Sequence, residues 1–452
     1  MSSLRITIGG VRGIVGESLT PDLIVRYSHA LGTYLEGDKV LVSRDTRQSG
    51  EMVLNCALTG LIAAGCQVID LGICTTAALQ LAVKQSDAAG GLAITAGHNI
   101  GGWNALKSVR ADGIFLNPAQ AAELLDIYHQ AEFLKAEWHQ LKPVSRDDEA
   151  GERHIQAIAE QLDIDLISDS GLRVAIDCAN GACSVHAPRL LDILGLDVVA
   201  INTETDLPFP HPPEPSRQNL SQLRALTTAA EAEVGFGFDA DGDRLGVVCH
   251  DGSAPGEEMT LCLAAQMIFR RGDPGPLVTN LSTTQAVADI ADQYDREVVR
   301  TPIGQAYIAE AASNHAAAVA GEGSGGVVFP RLNYAHDSLA GMGHILELVC
   351  RTGKPLAELV GEVPVYHMYK ETVPCPVERA FSVLEALRRQ GQPTSTEYED
   401  LQDGIKYGTL DRWVHIRVSM TEPIIRIIAE AKRPEVAQEL VRYYTNEVRR
   451  RM

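Results

Sequence analysis

Strand-like runs alternate with helix-like runs along most of this chain, and that alternation restricts it to α/β architecture before anything else is considered. Thr20 and Pro21 open a helix with Leu23, Tyr27, Leu31 and Tyr34 at helical spacing, and residues 39–43 follow as a strand. A helix after Ser49, strands at 68–71 and 92–95, and a helix capped by Asn117 and Pro118 complete a first round. The pattern restarts with strands at 173–177, 197–201, 234–238 and 245–249, then again with a helix at 257–270 and strands at 277–281 and 297–300. After Pro364 the order changes to an extended run up to Val373, a helix at 377–389, strands near Tyr407 and Val414, and a closing helix from Pro434. That order suits a small α+β unit. Polar or Gly/Pro-marked stretches near 143–152, 251–257 and 362–366 divide the chain into expected domains at 1–150, 151–252, 253–365 and 366–452. A length of 452 residues gives each of them room for a core.

Charge narrows the partners. With 39 basic and 59 acidic residues the net charge is −20, which repels nucleic acid and anionic membrane surfaces. An anionic ligand must then be held by local clusters of cations. The longest apolar stretch, around 56–66, is interrupted by Thr59 and Gly60 and is too short to span a bilayer. Residues 1–11 carry no apolar core of signal-peptide length, and none of the nine cysteines forms a C-x-x-C pair. Free thiols in a cytoplasmic protein are the expectation. The Pro-rich run at 208–215 reads as a rigid loop.

Four loops carry chemistry. Asp239-Ala240-Asp241-Gly242-Asp243-Arg244 lies between two apolar strands, and in an extended loop its alternate carboxylates would point to one side and converge on a hard cation. Mg²⁺ suits a site with few carboxylates and open positions, whereas the calcium loop fails because Arg244 and His250 stand where glycine and glutamate are needed. Arg417, Ser419 and Thr421 share one face of the next such segment, with Arg426 on the following strand, giving guanidinium and hydroxyl donors for phosphate oxygens. In Gly321-Glu322-Gly323-Ser324-Gly325-Gly326 the glycines admit a ligand close to the backbone, and Glu322 and Ser324 offer partners to sugar hydroxyls. The fourth loop runs from Thr95 through Gly97, His98 and Asn99 to Lys107, with His98 a proton carrier or phosphate partner and Lys107 a point charge.

In this order, together with Gly10-Val11-Arg12-Gly13 and Ser43-Arg44-Asp45-Thr46-Arg47, the loops resemble the α-D-phosphohexomutase family over essentially the whole chain. The resemblance implies four domains around a central cleft, three related α/β domains with mixed sheets plus a C-terminal α+β domain. It implies interconversion of hexose 1- and 6-phosphates with Mg²⁺ on Asp239, Asp241 and Asp243 and a hexose 1,6-bisphosphate as activator and intermediate. Arg12, His98, Lys107 and Arg244 would serve the transferring phosphoryl group, Arg417, Ser419, Thr421 and Arg426 the other phosphate, and Glu322 and Ser324 the sugar. The family's active-site loop reads Thr-Ala-Ser-His-Asn-Pro, its serine carrying the phosphoryl group; here Gly97 and Ile100 replace the serine and the proline. A phosphoenzyme at that position is closed off, which leaves a mutase with Thr95, His98 or Ser108 as substitute carrier or with a transfer route not visible in sequence, a sugar-phosphate-binding protein without turnover, or an engineered or misread position in an otherwise ordinary enzyme. The glycine-rich loop and Trp103-Asn104-Ala105-Leu106-Lys107 look most like the glucosamine phosphate branch, with glucose and mannose phosphates as alternatives. A monomer or homodimer acting on small sugar phosphates is expected.

Overall fold

The computed structural model describes residues 4–7, 10–389, 397–419 and 423–452, in four sheets. The first has a parallel centre, Gln67–Ile73, Lys39–Arg44 and Gly90–Ile94, extended by antiparallel Trp103–Arg110, Gly10–Ile14 and Arg5–Thr7. Gly90–Ile94 is buried throughout, as expected where helices cover both faces of a parallel sheet. The second sheet orders Leu245–Cys249, Val234–Phe238, Arg173–Asp177 and Asp197–Ile201, and the third orders Val298–Thr301, Leu277–Asn280, Val319–Glu322 and Gly326–Val328. Each pairs parallel strands with one antiparallel edge strand. The fourth sheet is antiparallel, built from His367–Pro374, Ile424–Ala431, Arg412–Val418, Ile405–Thr409 and Tyr398–Asp400, and Pro434–Arg451 packs on it.

The structure corrects three expectations. Lys107 lies on the strand Trp103–Arg110 rather than in a glycine-rich loop, because residues 103–110 pair on both sides, with Gly10–Ile14 and with Gly90–Ile94. The stretch at 143–152 is not plain linker: Ser145–Arg146 adds an edge to the first sheet and the helix Ala150–Ala159 starts within it. Asp239–Arg244 is a tight turn rather than an extended loop, with Gly242 at φ +71 in the left-handed region that favours glycine.

The first three units meet at this turn, and the fourth docks on the third. Thr76 N, at the start of the helix Thr76–Lys84, donates to the Asp241 carbonyl at 3.0 Å. Ser338 N donates to the Gly242 carbonyl at 3.1 Å, and Leu245 N to that of Gly325 at 3.0 Å. Arg110 bonds Glu310 at 2.8 Å between the first and third units. The fourth unit docks on the third through Lys406 Nζ to the Leu281 carbonyl at 2.6 Å, Ser282 Oγ to His415 at 2.8 Å and Gln285 N to Glu430 at 2.8 Å.

Within the first unit, helices Pro21–Tyr34 and Gly50–Ala63 pack closely because glycine sits at the crossing. A Cβ on Gly60 would stand 2.3 Å from the Val25 carbonyl oxygen and 2.7 Å from the His29 nitrogen, both backbone atoms. Alanine is the better helix former by about 1 kcal/mol, but overpacking costs roughly 1–3 kcal/mol. Gly60→Ala is therefore expected to lower the thermal midpoint of the domain, and a raised midpoint would contradict this packing.

Candidate active site

The turn that joins Val234–Phe238 to Leu245–Cys249 buries three carboxylates, with Asp239, Asp241 and Asp243 at 0, 1 and 5% exposure. One oxygen from each lies within 4.8 Å of the others. Backbone groups set this shape: the amides of Asp243 and Arg244 donate to Asp239 Oδ1 at 2.9 and 3.1 Å, which folds the turn around that side chain. Unit charges this close repel by roughly 3–4 kcal/mol per pair at an effective dielectric of about 20. Burial, with Asp243 and Asp241 alongside, pushes Asp239 well above the usual carboxylate range. Burial would also raise Asp243, but Lys107 and Arg244 outweigh it and hold that group low.

The remaining valences point to a cation. Asp239 Oδ2, Asp241 Oδ1 and Asp243 Oδ1, one atom from each carboxylate, are buried without a hydrogen-bond partner. Three convergent carboxyl oxygens left open in this way fit a hard divalent ion. The other oxygens are occupied. Asp241 Oδ2 accepts from Lys107 Nζ at 2.8 Å and Thr76 Oγ1 at 3.0 Å, and Asp243 Oδ2 from Gln305 Nε2 at 2.8 Å. Gln305 also meets His336 Nδ1 at 2.9 Å, so the His336 proton sits on Nε2, a buried donor with no partner. Burial lowers the pKa of His336 and keeps its ring neutral.

The loop after Gly90–Ile94 is clamped against this turn. Arg47, paired with Asp45 at 2.8 Å with both side chains fully buried, donates to the carbonyls of Gly97, Ile100 and Trp103. Gly97 takes φ +56, and a Cβ there would stand 3.4 Å from Asp241 Oδ1 and 3.7 Å from Lys107 Nζ. The side chain missing at 97 would thus point at the carboxylates. Arg12, on Gly10–Ile14, reaches the loop by donating to Asn99 Oδ1 at 2.7 Å. Burial, then Arg244, with Arg12 and Lys107 adding, lowers the His98 pKa to about 3 against the opposing pull of Asp243. Arg244 is fixed from the far side by Glu214 at 2.7 Å.

Glu322 ends the strand Val319–Glu322, accepts from Asn280 Nδ2 at 2.9 Å and lies 3.9 Å from His336. Ser324 Oγ is buried without a partner in the following turn. Arg417 and Arg426 are direct cross-strand partners, an arrangement that places two guanidinium groups on one face and is unfavourable unless an anion lies between them. Arg417 also bonds Asp403 at 3.0 Å, and Asp403 accepts from Ile303 N at 3.0 Å, tying this face to the third unit just before Gln305. Ser419 is buried beside them, while Thr421 lies outside the described residues. Asp45, Arg47, Thr76, Glu214, Asn280, Gln305 and His336 belong to the site too. Only the Asp45/Arg47 segment had a signal in the sequence; the others are single polar residues in unrelated stretches that only the fold assembles.

Sequence models of the phosphoglucomutase/phosphomannomutase α/β/α domains I, II and III match residues 6–135, 152–252 and 255–366. The chain belongs to this α-D-phosphohexomutase family. Among relatives, the "Probable phosphoglucosamine mutase" of Methanopyrus kandleri is 33% identical over 444 residues, 98% of this chain and 97% of its own length. The "Phosphoglucomutase/phosphomannomutase" of Thermococcus kodakarensis is 34% identical over 439 residues, 95% of each chain. The crystal structure of a phosphoglucomutase/phosphomannomutase family protein from Burkholderia thailandensis superimposes with a TM-score of 0.85 over 99% of this chain and 97% of that one, at 24% identity, a likeness of fold. The four-domain architecture is thus that of the family. Among the described residues no helix is long and apolar enough to cross a membrane.

The Pro-rich loop braces the site. Phe209 stacks on Arg47 at 5.0 Å, Glu214 holds Arg244, and His211 puts Nε2 3.0 Å from Asp177 and Nδ1 2.9 Å from the Pro212 carbonyl. Both partners are acceptors, so the ring donates twice only as an imidazolium. Burial opposes the charge, but the bonds to Asp177 and Pro212 prevail and raise the pKa. Its contribution to stability is then complete below the unfolded value of about 6.5 and lost as pH rises through the raised folded pKa. The gap in thermal midpoint between the parent and His211→Gln should shrink as pH rises from about 6 to about 8. A gap independent of pH would contradict the charged assignment.

Proposed function

We propose that this chain is a phosphohexomutase that interconverts hexose 1-phosphate and 6-phosphate through a bisphosphosugar, with glucosamine phosphate as its substrate. The observation that carries the reading is a pair of charge-complementary sites linked through the third unit: three buried carboxylates with open oxygens, and a cross-strand Arg417/Arg426 pair whose Asp403 bonds Ile303, two residues before the Gln305 that bonds Asp243. The substrate assignment rests on the relatives named as phosphoglucosamine mutases and on the Glu322/Ser324 turn. Glucose and mannose phosphates are the competing substrates, since few contacts separate them. The domains are taken as 1–150, 151–252, 253–365 and 366–452.

Asp239, Asp241 and Asp243 would hold Mg²⁺, which when bound neutralises charge on the transferring phosphoryl group. Lys107, Arg12 and Arg244 stabilise the same charge from the protein side. Arg417, Ser419 and Arg426, with Thr421 by resemblance, grip the phosphate that does not react. Glu322, Ser324 and the Nε2–H of His336 read the sugar hydroxyls. A hexose 1,6-bisphosphate forms when the held monophosphate gains a second phosphoryl group, and it turns over before giving up the other. Gly97 supplies no oxygen, which favours a second reading, a sugar-phosphate-binding protein without turnover.

Arg417→Ala is expected to raise KM for the hexose phosphate by about 10- to 100-fold, in line with loss of a charged hydrogen bond worth roughly 1.5–3 kcal/mol. Asp241→Asn is expected to abolish Mg²⁺-dependent turnover, as steady-state kinetics would show. Full activity of the Asp241 variant, or an unchanged KM for the Arg417 variant, would contradict the respective assignment.

A further inference from the structure

A mutase of this kind must keep a phosphoryl group between its two transfers. One carboxylate turn and one arginine pair provide for one sugar at a time, so the sugar that leaves carrying two phosphates has taken one from the chain itself. The question for this protein is which atom holds it. This inference rests on the function proposed above.

Thr95, Ser108, Thr76 and Cys183 are committed elsewhere, and Ser324, whose Oγ has no partner, is taken up by the sugar in the function proposed above. Thr95 Oγ1 donates to Asp45 at 2.7 Å and accepts from Gly97 N at 3.0 Å, within the Arg47 clamp. Ser108 follows Lys107 on a strand, so its side chain turns to the opposite face, where it meets Tyr27 OH at 3.3 Å. Thr76 Oγ1 is fully buried and donates to Asp241, and Cys183 is a thiol that burial holds far from ionisation. Lys107 is kept as an ammonium by Asp241 and Asp243 despite its burial, and so has no lone pair. His336 spends its Nδ1 lone pair on Gln305 and carries a proton on Nε2.

His98 is different. Its ring is half-buried and takes no hydrogen bond from the described residues, so a lone pair stays open. It stands between Gly97, where a Cβ would lie 3.4 Å from Asp241 Oδ1 and 3.7 Å from Lys107 Nζ, and Asn99, which Arg12 bonds at 2.7 Å, and the charges of Arg244, Arg12 and Lys107 all bear on its ring. Its backbone is fixed, because the neighbouring Gly97 and Ile100 carbonyls are held by Arg47 and Asn99 is held by Arg12. We propose that the His98 imidazole is the phosphoryl carrier of this chain, standing in for a hydroxyl at Gly97.

In the first step an imidazole nitrogen bonds to phosphorus as the ester P–O bond of the bisphosphosugar breaks. The electron pair of that bond stays with the sugar oxygen, which takes a proton from water. In the return step a sugar hydroxyl attacks the phosphorus, gives its proton to water, and the imidazole leaves neutral. A phosphoryl group on His98 would be drawn to the positive charges of Arg244, Arg12 and Lys107. The pKa of about 3 keeps the ring uncharged and its lone pair available at neutral pH. The loose transition state of phosphoryl transfer asks little bonding of the nucleophile, so a weakly basic imidazole suffices.

The test is to incubate the full chain with Mg²⁺ and either glucose or glucosamine 1,6-bisphosphate. The chain is then mapped by mass spectrometry at neutral pH, and 1-to-6 phosphate interconversion is followed alongside. The expected result is an acid-labile, alkali-stable phosphate on His98, absent in a folded His98→Gln variant whose turnover falls by at least ~10³-fold. Mapping the parent chain does not depend on whether the variant folds. Interconversion with no phosphate on His98 would overturn the carrier assignment and leave the mutase reading standing. Absence of both interconversion and labelling would overturn the mutase reading, and the carrier with it.

Discussion

The burial of three carboxylates in one turn is the constraint on which the rest of this structure depends. A chain already at net −20 gathers Asp239, Asp241 and Asp243 where water does not reach, and each neighbouring element is placed to make that tolerable. The second unit supplies the amides that cradle Asp239, the first supplies Lys107 and Thr76, and the third supplies Gln305 and the contacts of Ser338 and Gly325. These partners satisfy one set of oxygens and leave one per carboxylate open. The same turn therefore joins three domains and prepares a place for a cation, so its electrostatic cost is tied to a binding role rather than to stability.

The fourth unit shows the opposite charge logic. Arg417 and Arg426 stand across from one another, and Asp403 supports Arg417 while reaching the backbone of the third unit. Buried Lys406, His415 and Glu430 complete that docking surface with bonds to residues 281–285. The cationic face is thereby tied to the third unit at Ile303, two residues before the Gln305 that bonds Asp243 of the anionic turn. A ligand with an anionic group at each end, one needing a divalent ion and the other guanidinium donors, matches this pair of faces.

The strands and helices were legible because their periodicity and caps are local: the Thr20/Pro21 start and the Asn117 cap recur as expected, the latter with a full capping box. Lys107 was misplaced into a loop because Gly101, Gly102 and Asn104 mask the start of a strand whose pairing is entirely long-range. The acidic motif was found, but its geometry comes from the Asp239 cradle and the left-handed Gly242 rather than from strand alternation. Gln305, His336, Thr76 and Glu214 gave no signal because each is a lone polar residue whose role exists only in the folded chain: Thr76 comes to the turn from the first unit, Gln305 and His336 from the third, and Glu214 reaches Arg244 within the second. The resemblance located Gly97, and the structure added where a side chain there would point.

The most direct measurement is a coupled assay of the unmodified chain with Mg²⁺ and trace hexose 1,6-bisphosphate on glucosamine, glucose and mannose 1-phosphates. The account predicts Mg²⁺-dependent appearance of the 6-phosphate, fastest with glucosamine phosphate and abolished by chelation. Binding of all three sugar phosphates with no 6-phosphate formed from any of them would contradict it.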